Sequence, residues 1–118
     1  LVFCPFASRF PYEVWIAPLA AEARFEHSSP ARLRALSQLL QRIVSAFEGI
    51  LPRPAYNFCL DTAPLTPALA EGYHWRIEVF PRLAKAAGFE WATGDFINTV
   101  PPEEAAARLR PYFGSPFA

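Results

Sequence analysis

The sequence predicts an α+β domain in which an antiparallel sheet of about five strands packs against two helices. Short runs rich in β-branched and aromatic residues follow one another through brief, hairpin-like links, which favours antiparallel pairing. Two longer stretches, residues 30–49 and 101–110, carry the start and stop signals of helices. The 118 residues suit a single domain, which we take as residues 1–118.

The five predicted strands are bounded by clusters of proline, glycine, serine or threonine. They cover residues 1–7, 12–18, 55–64, 73–81 and 89–100. In the fifth of these runs Gly94 indicates a bulge or a close approach to a ligand. The helices are expected on one face of the sheet, so that the polar face of the fourth strand looks away from them.

Ser29 can cap the first helix, and Pro30 suits its first position, where the missing N–H costs nothing. Apolar residues then recur at helical spacing: Leu33, Leu36, Leu40, Ile43, Val44 and Phe47. Gly49 and Pro52 are predicted to end it. The second helix has acidic residues in its first turn and arginines in its last, as the helix dipole favours.

The composition limits the possible partners. Hydrophobic residues make up 53% of the chain, and eleven basic residues balance eleven acidic ones. This balance argues against a nucleic-acid or anionic-membrane surface, and the apolar runs are too short and interrupted for a transmembrane helix. Cys4 and Cys59 are predicted to be buried, reduced thiols of a cytoplasmic protein. Because the chain opens in mid-strand without methionine, we expect a fragment of a longer protein.

His74, Arg76 and Glu78 share one face of the predicted strand "YHWRIEVFP", about 7 Å apart in successive steps. Histidine could act as an acid, a base or a ligand, and Arg76 could hold a phosphate. The alternative is a solvated face crossed by an Arg–Glu pair. No nucleophile–base pair is evident in the local sequence, and the two histidines are far apart, which argues against a metal site.

The segment "GFEWATG" is the second candidate site. Gly88 and Gly94 bracket Phe89, Glu90 and Trp91, which could supply aromatic rings and a carboxylate acceptor for sugar hydroxyls. In a strand Glu90 would point away from both rings, so Glu90 is the primary predicted contact. The alternative is an ordinary strand with a glycine bulge.

Four ordered motifs resemble the C-terminal half of the galactose-1-phosphate uridylyltransferase family, within the histidine-triad superfamily. They are "FPYEVWIAP", "YNFCLDTAP", "YHWRIEVFPRL" and "AGFEWATGDFINTVPPEEAAARLR". The third keeps the frame of the signature strand, in which histidines alternate with apolar residues. The resemblance implies a histidine-triad-like fold and a parent that passes a nucleotidyl group between UDP-glucose and galactose 1-phosphate, in a cytoplasmic homodimer.

The resemblance also implies a division of labour between two halves. A histidine of the N-terminal half would take up the nucleotidyl group, and zinc, where the parent holds it, is expected in that half. Arg76 stands at the equivalent position here and cannot attack phosphorus, so the fragment alone is predicted to be inactive. Ala21 stands where metal-binding relatives have a histidine, so no metal is expected in this half. The residues expected to contact the hexose phosphate are Phe89, Glu90, Trp91, Ala92 and Gly94.

Three function classes therefore remain. The favoured one is the non-nucleophilic part of a hexose-1-phosphate uridylyltransferase, with an adenylyl-transferring relative as a variant of it. The second is a self-sufficient histidine-triad hydrolase, which Arg76 disfavours. The third is a binding or structural module that has kept the fold and lost the chemistry.

Overall fold

The structure, a computed structural model, describes residues 1–114. In this part of the chain one antiparallel sheet has the strand order β1-β2-β4-β3. The strands are β1 (Val2–Phe3), β2 (Val14–Ile16), β3 (Tyr56–Asp61) and β4 (Arg76–Pro81). The first four predicted strands are thus confirmed, although each is shorter than its apolar run, and the α+β class holds.

The long helix α1 (Pro30–Ile50) begins as predicted. The Oγ of Ser29 accepts the backbone N–H of Arg32, and Pro30 occupies the first turn. The helix runs one residue past Gly49, because this glycine serves packing rather than termination. A Cβ at Gly49 would overlap the ring of Tyr112, which lies against the helix backbone there.

The predicted fifth strand is wrong: its first part is a short helix, α2 (Gly88–Thr93), followed by an irregular segment. The carboxylate of Glu90, in the first turn, reaches back to the free N–H of Ala87, which stabilises a helix start. Gly94 has φ 76° and ends the helix in the left-handed conformation, so it is a C-terminal cap and not a strand bulge. With α3 (Pro102–Leu109), which confirms the second predicted helix, the described chain has three α-helices rather than two.

The core lies on one face of the sheet. Trp75, Ile77 and Val79 are buried there and form one apolar cluster with residues of α1 and α3. The helical members of that cluster are Leu36, Ile43, Ala46, Phe47, Ala105 and Leu109. Alternation along β4 therefore places Arg76 and Glu78 on the opposite face, away from the helices as predicted.

The helices leave the core face of β3 exposed. Phe58 pairs with Val79 and Leu60 with Ile77, so both lie on the core face of the sheet. Their exposed fractions are nevertheless 61% and 45%. β3 is also the last strand of the sheet, with no strand of the described chain on its outer side. Among the helices of residues 1–114, none combines the length and apolarity needed to cross a membrane.

Candidate functional site

Two of the three residues predicted as a polar row lie together on the outer face of β4. The Nε of Arg76 donates to Oε1 of Glu78 at 2.9 Å. His74 precedes the strand and turns to the segment after β2, where its Nδ1 lies 2.9 Å from the carbonyl oxygen of Pro18. Because a carbonyl only accepts, Nδ1 carries the proton in this contact. The predicted row is therefore an ion pair between Arg76 and Glu78, and His74 is held separately by the segment after β2.

The sequence did not indicate that residues from three other segments complete this ion pair. Asp61 of β3 pairs with Arg76 across the strands, and the guanidinium lies 4.5 Å above the ring of Trp15 in β2. Arg9, in the loop before β2, donates to the second oxygen of Glu78 at 2.5 Å. Glu78 thus accepts from two guanidinium groups while its side chain is only 8% exposed.

This network fixes what Arg76 can do. Burial acts to lower its pKa, but the hydrogen bond to Glu78 and the charge of Asp61 outweigh burial and raise the pKa further. A permanently protonated guanidinium has no lone pair with which to attack phosphorus. Its donors are also directed at carboxylates of the chain itself. The row is consequently suited to holding the sheet face together and not to nucleophilic catalysis.

The loop of residues 8–13, called the 8–13 loop below, is built around a second buried carboxylate. Glu13 is 1% exposed, and its Oε2 accepts the backbone N–H groups of Arg9 (2.6 Å) and Phe10 (3.2 Å). Its Oε1 accepts the indole N–H of Trp15 at 2.7 Å. This carboxylate ties the loop to β2 and holds Arg9 where it reaches Glu78. No local sequence signal marks this role, because the glutamate lies in a turn with no period.

The predicted sugar segment lies on α2 and projects side chains to solvent. Phe89 and Trp91 are 52% and 81% exposed, and Ala92 and Gly94 are exposed as well. The pKa of Glu90 is lowered, chiefly by the hydrogen bond from the N–H of Ala87 and then by its own backbone N–H. Glu90 is thus held as a carboxylate at the start of the helix. Its role as a sugar contact stays a prediction.

Contacts with the 8–13 loop attach the α2 region to the polar face of the sheet. Phe10 stacks on Phe80 of β4, with ring centroids 4.3 Å apart, and meets Phe96 edge-on at 5.1 Å. The Nδ2 of Asn98 donates to the carbonyl oxygen of Ser8 at 3.3 Å. The two candidate sites of the sequence are therefore joined through this loop and not through a shared strand.

The two cysteines lie in different parts of the sheet: Cys59 is the cross-strand partner of Glu78 on the polar face, and Cys4 follows β1. Cys59 is exposed on β3, which contradicts its predicted burial. Cys4 is partly buried and lines a cavity of about 220 Å³ between β1 and α3. Burial, with a smaller contribution from the charge of Glu13, raises its pKa to about 11. Among residues 1–114 no three histidine, cysteine or acidic side chains meet in a geometry that could hold a metal ion.

The proteins to which this chain is similar include a member of the family that the four motifs resemble. No protein-family model matches the chain. The chain is 34% identical to ADP-glucose phosphorylase of Arabidopsis thaliana over 90% of its own length and 31% of that protein. It is 29% identical to galactose-1-phosphate uridylyltransferase of Thermotoga maritima over 93% of its own length and 37% of that protein.

Solved structures give the same answer for the fold. A crystal structure of the Arabidopsis ADP-glucose phosphorylase with bound ADP-glucose matches with a TM-score of 0.88 and 32% identity, over 92% of this chain and 36% of that one. A uridylyltransferase structure matches with a TM-score of 0.84 and 26% identity, over 99% of this chain and 39% of that one. The chain thus spans between 31% and 39% of the length of these relatives. The predicted resemblance to galactose-1-phosphate uridylyltransferase-like proteins is confirmed.

Proposed function

We propose that this chain is the non-nucleophilic, C-terminal part of a galactose-1-phosphate uridylyltransferase-like enzyme, a nucleotidyltransferase acting on hexose 1-phosphates. The observation that carries the proposal is the state of Arg76, which stands at the nucleophile position of the signature strand. It is paired with Asp61 and Glu78 and cannot take up a nucleotidyl group. In the proposed enzyme a histidine of the N-terminal half attacks phosphorus.

The contribution proposed for this chain is binding of the hexose phosphate by the α2 region. A sugar offers hydroxyl donors and C–H faces, which suit a carboxylate flanked by exposed rings. Glu90 keeps one carboxylate oxygen beyond the Oε2 that accepts from Ala87, and Phe89 and Trp91 lie exposed on either side of it in sequence. The exposure of these rings agrees with a surface that another part of the enzyme completes.

Two candidate functions differ in the nucleotidyl group that is transferred. Uridylyl transfer from UDP-glucose is the first, in line with the Thermotoga relative. Adenylyl transfer is the second, and the higher identity to a protein named ADP-glucose phosphorylase favours it. A homodimer in the cytoplasm is part of either proposal, and the free thiols of Cys4 and Cys59 suit a reducing compartment.

The experiment compares the full-length protein with chain 1–118, each supplied with UDP-glucose or ADP-glucose and with galactose 1-phosphate or inorganic phosphate. We expect turnover by the full-length protein and none by the chain alone, whether or not Arg76 is replaced by alanine. Turnover by chain 1–118 that survives purification to homogeneity would contradict the assignment. The preferred nucleotide sugar decides between the two candidates.

Glu90→Gln tests the binding role in the full-length protein. Glutamine can still accept from Ala87, so the start of α2 is kept and only the charge is removed. We expect hexose-phosphate use to fall by roughly tenfold to a hundredfold, as for the loss of a charged hydrogen bond. Glu71→Gln, at an exposed turn before β4, is the matched control and should have no effect. Unchanged sugar kinetics in Glu90→Gln, with a loss in Phe89→Ala, would exclude the acceptor role.

A further inference from the structure

Glu13 is a buried acid that the proposed chemistry does not use. Its two oxygens accept three donors, two from the backbone of the 8–13 loop and one from Trp15. Burying a carboxylate is costly, and removing this one alone would leave its three donors without an acceptor. Its position on two consecutive N–H groups, those of Arg9 and Phe10, therefore points to control of loop geometry.

The 8–13 loop is held in an unfavourable conformation. Tyr12 has φ 59°, in the left-handed region that a bulky side chain rarely adopts. Its side chain is nevertheless 3% exposed, and its hydroxyl accepts from Arg108 of α3. Strain of this kind persists only where the surroundings over-determine the backbone, and it is concentrated at functional sites.

The 8–13 loop in turn holds the region after α2. Phe10 lies between Phe80 and Phe96, and the carbonyl oxygen of Ser8 accepts from Asn98. The segment 95–98 is also tied to α2, since the N–H of Asp95 donates to Oγ1 of Thr93 at 3.1 Å and the N–H of Gly94 donates to the carbonyl oxygen of Glu90 at 2.9 Å. A continuous set of contacts thus runs from the buried carboxylate to the acid of α2.

We propose that Glu13 is a positioning residue: by fixing Phe10 between β4 and segment 95–98, it sets the place of α2 and of Glu90. The link to hexose-phosphate binding rests on the proposed function, whereas the positioning of α2 is independent of the substrate. Glu13 acts through the 8–13 loop, so its removal should loosen segment 88–98 while α1 keeps its place in the core.

Hydrogen exchange of the full-length protein tests the positioning. In Glu13→Ala we expect amides of residues 88–98 to exchange at least tenfold faster and those of residues 39–47 in α1 to be unchanged. Glu71→Ala is the control and should alter neither. Should Glu13→Ala fail to fold, Glu13→Gln takes its place, because its single acceptor oxygen can keep the two backbone N–H groups while its NH₂ opposes the indole of Trp15. A smaller acceleration confined to residues 88–98 is then expected.

Kinetics of the same variants separate this inference from the proposed function. We expect the KM for hexose 1-phosphate to rise at least fivefold with kcat within twofold, and the rise to vanish in a Glu90→Gln background. Unchanged exchange in residues 88–98, or equal acceleration in α1, would overturn the positioning role. Accelerated exchange in residues 88–98 with an unchanged KM would support positioning and refute the binding role proposed for α2.

Discussion

Replacement of Glu78 distinguishes a structural network from a catalytic remnant. In Glu78→Gln the nearly buried side chain loses its charge while Arg76 and Arg9 keep theirs. The contact with Arg76, which is 30% exposed, is a charge-assisted hydrogen bond worth about 1.5–3 kcal/mol. Arg9 is 46% exposed, so solvent screening limits its contact to about 0.2–1 kcal/mol. Glutamine keeps one acceptor oxygen and turns its NH₂ towards the other guanidinium, so only part of this sum is lost and the expected loss in the free energy of unfolding is about 1–3 kcal/mol.

Denaturant unfolding of chain 1–118 measures this loss, and Asp61→Asn is the control. Asp61 also pairs with Arg76, but its side chain is 47% exposed, so its replacement should cost less than about 1 kcal/mol. A Glu78→Leu, Arg76→Met double variant should recover part of the stability, because it removes both charges together. A loss in Glu78→Gln no larger than that in Asp61→Asn would contradict a structural role for this network. An unchanged stability of Glu78→Gln in the full-length protein together with a collapse of kcat would instead indicate a catalytic role for Glu78.

Two further results are expected. At pH 8 iodoacetamide should modify the exposed Cys59 at least tenfold faster than Cys4, because the pKa of about 11 leaves Cys4 with little thiolate. Peptide mass mapping measures both rates, and equal rates would contradict the burial of Cys4. The pKa of Glu90 is lower in the folded chain than its unfolded value of 4.5. Glu90 should therefore contribute fully to the stability of α2 above pH 4.5, and this contribution should be lost as the pH falls through the folded pKa. The NMR shift of the Ala87 amide should report that titration, and a midpoint at or above 4.5 would contradict the hydrogen bond.

The elements that could be predicted are those whose signals are local. Ser29 and Pro30 mark the start of α1, and the alternation of Trp75, Ile77 and Val79 sets the two faces of β4, because capping and strand period depend only on neighbours in sequence. The sequence does not predict α2, because the aromatic residues that alternate around Glu90 match the period of a strand. Glu90 in the first turn and Gly94 at the end are the local signals of this helix.

The contacts that hold the candidate site were beyond sequence reasoning for a different reason. Arg9 meets Glu78 across 69 positions and Asn98 meets Ser8 across 90, so no period or spacing connects them. Glu13 carries the same charge as any surface glutamate, and only the backbone path of the 8–13 loop reveals that it is enclosed. Long-range pairing of this kind depends on the folded topology.

The uncovered strand β3 has a consequence for handling the chain in solution. Within residues 1–114, Phe58 and Leu60 are exposed beside a strand edge that pairs with no further strand, and such an edge is a template for pairing with another copy. The formal net charge at pH 7 is zero and the isoelectric point is about 6.9, so electrostatic repulsion between copies is weakest near neutrality. Colloidal stability of chain 1–118 should therefore be poorest in neutral buffers and improve at pH 8.5, and a charged residue at position 58 should raise the concentration at which the chain stays monodisperse.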